Sequence, residues 1–87
     1  MAETIEARRK RLIHRSRCTG MKETDLLLGA FAARYVPGFG PQELDQYERL
    51  LTVPDNDIFD WATGRVPPEH GFDTPVLTLL KNFRIDR

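Results

Sequence analysis

The chain has one cysteine, no net charge and no long apolar run, and each of these absences excludes a class of protein. Cys18 has no second cysteine to pair with, which excludes a small secreted domain held by internal disulfides and favours a reducing compartment. The longest apolar run, 26–33, has eight residues, whereas a helix that crosses a bilayer needs about 20. The 13 basic and 13 acidic residues cancel, which excludes a polycation that grips nucleic acid nonspecifically.

The first residues lack the features of a targeting sequence. Glu3 and Glu6 interrupt the basic residues, and no apolar stretch of signal-peptide type follows them. We therefore expect neither a signal peptide nor a transit peptide, and we predict a cytoplasmic protein. With 87 residues, we expect one domain over 1–87 with a small core, in which surface binding is easier to accommodate than a deep active site.

The zero net charge hides an asymmetry along the chain. Residues 1–22 contain seven basic and two acidic side chains, a net charge of +5, and the remaining 65 residues carry −5. Such a dipolar domain suggests a partner with a complementary field, because charge arrangement sets encounter rate and orientation. The run Arg8–Arg9–Lys10–Arg11 within this segment also permits a nucleic-acid-binding module, although no recognition-helix pattern accompanies it.

Proline and glycine divide the chain into five segments, each with helical periodicity. The spacing predicts helices over about 3–18, 21–35, 41–52 and 74–84, and a short helix between Asp55 and Gly64 with Asp55 as its cap. Gly40 and Thr74, each followed by a proline, are the predicted caps of the third and fifth helices. The last three helices are each expected to have one apolar face. The second helix is expected to be central, with an apolar stripe of Leu27, Ala30, Phe31 and Arg34. Since no segment alternates as a strand does, we predict an all-α, compact five-helix bundle.

Metal binding and nucleophilic catalysis have little support in the sequence. His14 and Cys18 lie four residues apart on the first helix, and His70 is the only other soft ligand. Zinc sites use three or four protein ligands, so we predict no metal site. A nucleophilic Cys18 would need an oriented base and a pocket, and we therefore predict no catalytic role for Cys18.

The junction 15–25 is the most informative stretch. Gly20 joins two helices and is the one position there at which the backbone can approach a partner without an intervening side chain. Glu23 is expected to reach back to the cap's amide, and Asp25 to add favourable charge near the positive end of the second helix. A structural role and a functional role for Gly20 and Glu23 both remain open at this point.

The same junction resembles a known family. The pattern I-H-x-x-x-x-x-G-M-[KR]-E-x-D, which here includes His14, Gly20 and Glu23, is similar to that of the SdhE/YgfY family of succinate dehydrogenase assembly factors. Residues 47–51 resemble the third helix of that family, and 55–61 resemble its P-D-x-D-[IL]-[FY]-x-W signature. The resemblance covers about 11–83.

The resemblance implies an all-α, five-helix fold and a function. Members of the family bind the flavoprotein subunit of succinate dehydrogenase, and in bacteria fumarate reductase, and promote covalent attachment of FAD to a histidine of that subunit. They supply no catalytic residue, so the resemblance implies no enzyme activity for this chain, and we expect no stably bound cofactor. The implied partner-binding residues are His14, Arg15, Arg17, Gly20, Met21, Glu23, Asp25, Asp57 and Trp61.

The chain departs from the family at one position. The family motif is commonly R-G-x-x-E, whereas Thr19 precedes Gly20 here and Arg17 lies two residues earlier. Because a hydroxyl does not replace a guanidinium at a contact, Arg17 is a candidate to compensate. Two other functions stay open: a small nucleic-acid-binding module that uses the basic first helix, and a toxin–antitoxin-type regulatory component.

Overall fold

The computed structural model describes residues 3–83 and confirms the all-α prediction, with five α-helices and no strand in that range. The helices are α1 (Ile5–Ser16), α2 (Lys22–Tyr35), α3 (Pro41–Leu50), α4 (Asp55–Ala62) and α5 (Pro75–Asn82). A short 3₁₀ turn, Val36–Gly38, which the sequence did not predict, continues from α2. The predicted end of the fifth helix, at 84, lies outside the described residues.

The helix starts follow the capping residues in two of three predicted cases. Gly40 is the N-cap of α3, and its amide donates to the Glu43 carboxylate over 2.9 Å. The Thr74 hydroxyl caps α5 by accepting from the Leu77 amide. The prediction for α4 was wrong, because Pro54 is the extended N-cap and Asp55 already belongs to the first helical turn. Its carboxylate is thereby free to face another part of the fold.

Helix α2 is central, as predicted, and it packs against α1 and α4. Phe31 is fully buried, and its ring lies 5.1–6.3 Å from the ring centroids of four other aromatic residues: Tyr35, Phe39, Tyr47 and Phe83. The predicted apolar stripe is partly wrong, since Arg34 is exposed and Leu28 and Ala32 are buried beside Phe31 instead. Because α1 and α4 both pack against α2, the face that it buries is rotated from the predicted stripe toward Leu28 and Ala32.

A salt-bridge network joins α1 to α3. Arg8 lies 2.6 Å from Asp45 and 3.0 Å from Glu48, and Arg11 lies 2.9 Å from both Glu48 and Glu3. The two guanidinium groups, Arg11 foremost, lower the pKa of Glu48. Each such pair near the surface contributes little alone, about 0.2–1 kcal/mol, so the network chiefly fixes the register of the two helices.

A buried hydrogen-bond chain also connects these helices. The Ser16 hydroxyl donates to the Leu12 carbonyl over 2.7 Å and lies 2.5 Å from the Tyr47 hydroxyl. A serine hydroxyl has one proton to give, so the Tyr47 hydroxyl donates to Ser16. Burial raises the pKa of Tyr47, and it therefore remains a neutral donor. Both side chains are fully buried.

We expect Ser16→Ala to destabilise the fold by about 1–3 kcal/mol, because the buried Tyr47 hydroxyl loses its partner. Urea unfolding followed by circular dichroism measures the change. Adding Tyr47→Phe to Ser16→Ala removes the orphaned hydroxyl and should recover part of the loss. A double variant that is less stable by the sum of the two single effects would contradict this hydrogen bond's role.

Candidate partner-binding surface

Gly20 occupies a backbone conformation that only glycine adopts readily. Its φ is +112°, a region that side chains strongly disfavour. A side chain at this position would begin 3.2 Å from Oδ2 of Asp55 at the start of α4. The junction between α1 and α2 thus lies against α4, an arrangement that no local pattern in the sequence indicated.

The carboxylate that closes this junction belongs to Asp25. It accepts a 2.7 Å hydrogen bond from the Thr19 amide and a second one from the Thr19 hydroxyl. These contacts with Thr19, together with the Gly20 amide, lower the pKa of Asp25. Asp25 therefore stays ionised and holds the turn in place. Thr19, where the family has arginine, has a structural function here.

The prediction that Glu23 reaches back to the cap's amide was wrong. The N-cap of α2 is Met21, not Gly20, so Glu23 falls one position too early in the helix for a capping box. Glu23 is exposed and forms no hydrogen bond or ion pair with any residue of 3–83. Glu23 therefore does not cap α2, and its carboxylate has no structural function within residues 3–83.

The exposed face of α2 forms a ridge between two open grooves. Leu26 is 60% exposed, more than any other large apolar side chain in the described part of the chain, and it lines both grooves. The first groove, about 880 Å³, has Arg17, Gly20, Lys22 and Asp25 along its polar side. The second, about 650 Å³, has Glu23 at its edge and apolar walls from α2, α4 and α5. We call this ridge and its two grooves the α2 surface.

Four of the predicted binding residues meet on the α2 surface: Arg17, Gly20, Glu23 and Asp25. Met21 lies between them as the half-buried N-cap of α2, with its sulfur 4.0 Å from the Thr24 hydroxyl. Leu26 and Gly29 complete the surface and were not predicted. The available signal for Leu26 was the run of three leucines at 26–28, which spans more of a helix than one buried face.

His14 and Arg15 lie elsewhere, in a separate groove between α1 and α3 that Cys18 also lines. The Arg15 guanidinium donates to the Leu51 carbonyl over 3.3 Å, so part of its function is to join these elements. The structure does not bring His14 or Arg15 together with Gly20 and Glu23 in one groove. Their predicted contact with a partner stays a prediction.

The two predicted residues of α4 have different surroundings. Trp61 is only 3% exposed and packs on Phe72 with ring centroids 5.4 Å apart, which makes it a core residue rather than an accessible contact. Asp57 is half-buried in the first turn of α4, the turn that carries Asp55 to Gly20. A partner contact at Asp57 is compatible with its position, whereas one at Trp61 would require the core to open.

The basic run of α1 is largely occupied by internal contacts. Arg8 and Arg11 pair with acidic residues, and Arg9 donates to the Phe39 carbonyl over 2.7 Å. The positive field that the sequence places on the first 22 residues is therefore partly neutralised by α3.

Within 3–83, no group of three or more His, Cys, Asp or Glu side chains is placed to hold a metal ion. None of the helices in this range is both long and apolar enough to cross a membrane. Arg17, Gly20, Glu23 and Asp25 line open grooves that water can enter.

Comparison with known proteins agrees with the resemblance seen in the sequence. Residues 10–84 match the model of the Sdh5 family, described as the flavinator of succinate dehydrogenase, which is the same family as SdhE/YgfY. The match covers the α2 surface, the second half of α1 and all of α2 to α5.

Several curated relatives are similar to the chain. A protein of the yeast Debaryomyces hansenii named succinate dehydrogenase assembly factor 2, mitochondrial, is 52% identical over 83 residues, 91% of this chain and 58% of the relative. Its namesake from Scheffersomyces stipitis is 45% identical, with 91% and 56% covered. Assembly factor 2-A of Drosophila mojavensis is 43% identical over 81 residues, with 91% and 52% covered. The chain thus spans about half the length of the curated relatives it matches.

Proposed function

We propose that this chain, which belongs to the Sdh5 family of succinate dehydrogenase flavinators, is an assembly factor for succinate dehydrogenase. In this proposal it binds the flavoprotein subunit through the α2 surface and promotes covalent attachment of FAD to the subunit. Fumarate reductase, whose flavoprotein subunit is of the same kind, is a second proposed target.

The observation that carries the proposal is the exposed ridge of α2. Leu26 leaves 60% of its surface in water, and it joins the apolar walls of the two grooves, which α2, α4 and α5 provide, into one apolar surface. A contiguous exposed apolar surface of this kind is typical of an interaction site. Polar groups flank it on both sides, with Glu23 on one groove and Arg17 and Lys22 on the other. An apolar centre with a charged rim is the usual composition of a protein interface.

The factor supplies binding and no catalytic group in this proposal. The attachment chemistry belongs to the flavin and to a histidine of the flavoprotein, and the assembly factor stabilises the form of the subunit in which they react. We propose that FAD is held by the flavoprotein and not stably by this chain. The open grooves of the α2 surface support this, since ligand sites usually bury most of a cofactor.

The alternatives are less well supported. A nucleic-acid-binding module would use Arg8 and Arg11, but α3 carboxylates already pair with both. No feature of residues 3–83 specifically favours a regulatory component of toxin–antitoxin type. The predicted cytoplasmic location stays a prediction, and the names of the relatives place those proteins in mitochondria.

The test is covalent flavin on the purified flavoprotein subunit. The subunit is incubated with FAD, with and without this chain, then denatured and freed of unbound FAD, and its flavin fluorescence is measured on a gel. We expect the chain to raise the fluorescence of the subunit band severalfold above an equal concentration of an unrelated helical protein. Equal fluorescence in the two reactions would overturn the proposed function.

A further inference from the structure

Arg17 lies across α2 at a glycine. It is the C-cap residue of α1, and its side chain passes over Gly29 so closely that a Cβ added there would lie 3.2 Å from Cγ and 4.0 Å from Nε of Arg17. Gly29 itself is buried. The missing side chain of Gly29 therefore leaves the space that the aliphatic part of Arg17 fills.

Gly29 is an unfavourable residue for the interior of a helix. Gly29 lies in the middle of the 14-residue helix α2, where glycine is less favourable than every ordinary residue except proline. Its φ is not in the left-handed region, so the backbone does not require glycine. The close approach of Arg17 is the one feature at Gly29 that a larger residue would disturb.

The guanidinium of Arg17 has no internal partner. Arg8, Arg9 and Arg11 all use theirs for ion pairs or carbonyl contacts, whereas that of Arg17 forms no hydrogen bond or ion pair with any residue of 3–83. Its stem is held against α2 while its head, with five N–H donors, is exposed in the first groove. Such a group is oriented for a ligand outside the chain.

The surroundings indicate which ligand fits. Lys22 adds a second cation to the groove, and the one carboxylate lining it, that of Asp25, is already engaged by Thr19. Leu26 provides an apolar wall next to these charges. A guanidinium fork beside an apolar wall matches a carboxylate side chain on a protein surface, which it can bind with two parallel hydrogen bonds.

We propose that Arg17, positioned by Gly29, binds a carboxylate of the flavoprotein subunit in the first groove. The proposal rests on the proposed function, because it names a contact within that interaction. Gly29 is a positioning residue that acts through Arg17, and Arg17 is the contact residue.

The test measures the affinity of purified flavoprotein subunit for four forms of the full chain by titration calorimetry: wild type, Arg17→Ala, Gly29→Ala and Lys10→Ala. We expect Arg17→Ala and Gly29→Ala each to weaken binding about fivefold to tenfold. Lys10→Ala removes an exposed charge of the same sign from α1 and should leave affinity unchanged. The thermal midpoint of Gly29→Ala should equal or exceed that of the wild type, since alanine favours the helix.

The double variant Arg17→Ala, Gly29→Ala isolates the coupling between the two positions. If Gly29 acts only through Arg17, the double variant binds no more weakly than Arg17→Ala alone. Wild-type affinity in Arg17→Ala would overturn the inference, and wild-type affinity in Gly29→Ala would overturn its positioning part.

Two further outcomes show whether the ligand of Arg17 is a carboxylate or a phosphate, and whether the inference alone or the proposed function has failed. Titration of the chain with FAD alone should give no binding, and FAD binding that Arg17→Ala abolishes would assign Arg17 to a phosphate and overturn the carboxylate contact. If the wild-type chain does not bind the flavoprotein subunit at all, the proposed function fails, and the inference fails with it.

Discussion

Replacing Gly20 with arginine is expected to abolish association with the flavoprotein subunit while the five helices persist. The new side chain would begin 3.2 Å from the Asp55 carboxylate and fill the start of the first groove. It would block the approach of a partner to the junction of α1 and α2. We expect the affinity to fall by more than about a hundredfold, which corresponds to about 2.8 kcal/mol. Capture of the subunit by immobilised chain measures the loss.

The same change also strains the backbone, and a control must separate the two effects. A side chain at a φ of +112° costs of order 1–3 kcal/mol, and each kcal/mol lowers the Tm of a domain this small by about 4–8 °C. Gly71→Ala is a matched control, since Gly71 has a φ of +93° and its Cβ would meet only the tip of Arg49 in another groove.

The comparison of Gly20→Arg, Gly20→Ala and Gly71→Ala then assigns the cause. We expect the two alanine variants to lose similar stability by circular dichroism, and Gly71→Ala to bind the subunit as the wild type does below its Tm. Full capture of the flavoprotein by a folded Gly20→Arg would show that Gly20 is no contact position. Equal loss of capture in Gly71→Ala would attribute the effect to stability.

Glu23→Gln is expected to reduce covalent FAD incorporation more than tenfold while the thermal midpoint barely moves. The side chain keeps its size, and no internal hydrogen bond is lost, because Asp25 and not Glu23 holds the junction. Only a small favourable effect of charge at the start of α2 disappears. Losing one partner of a charge-assisted contact across an interface costs about 2–5 kcal/mol when the opposing group is left buried and unpaired. Flavin fluorescence of the denatured subunit measures the effect.

Glu43→Gln provides the matched control for Glu23→Gln. Glu43 lies in the first turn of α3, as Glu23 does in α2, but it lines a groove that shares no residue with the α2 surface. Glutamine can keep the hydrogen bond to the Gly40 amide. We expect normal flavin incorporation with Glu43→Gln. Normal incorporation with Glu23→Gln as well would exclude Glu23 from the contact and leave the first groove as the candidate.

The sequence by itself determined the helices and the family. Gly40–Pro41 and Thr74–Pro75 predicted two helix starts correctly, because a cap and a proline at the first helical position act within one turn of the chain. The apolar faces of α3, α4 and α5 followed from their spacing, since a helix with a polar side has one face to bury. The order and spacing of the motifs between residues 13 and 61 that resemble the family's motifs identified the family.

Only the tertiary structure decided which side chains pair and which are exposed. Asp25 rather than Glu23 closes the junction because the chain enters α2 one residue later than the pattern implied. Arg8 and Arg11 are neutralised by carboxylates about 40 positions away. Capping depends on neighbours along the chain, whereas these pairings depend on how helices distant in sequence pack together.

The α2 surface shows the same division. The motif placed Gly20 and Glu23 together in sequence, but the ridge at Leu26 and the space that Gly29 leaves for Arg17 exist only because α1 folds back across α2. Trp61 belongs to the core for the same reason, since Phe72 of the loop before α5 covers it. A sequence pattern shows which face of a helix is apolar, but the neighbouring elements determine how much of that face is covered.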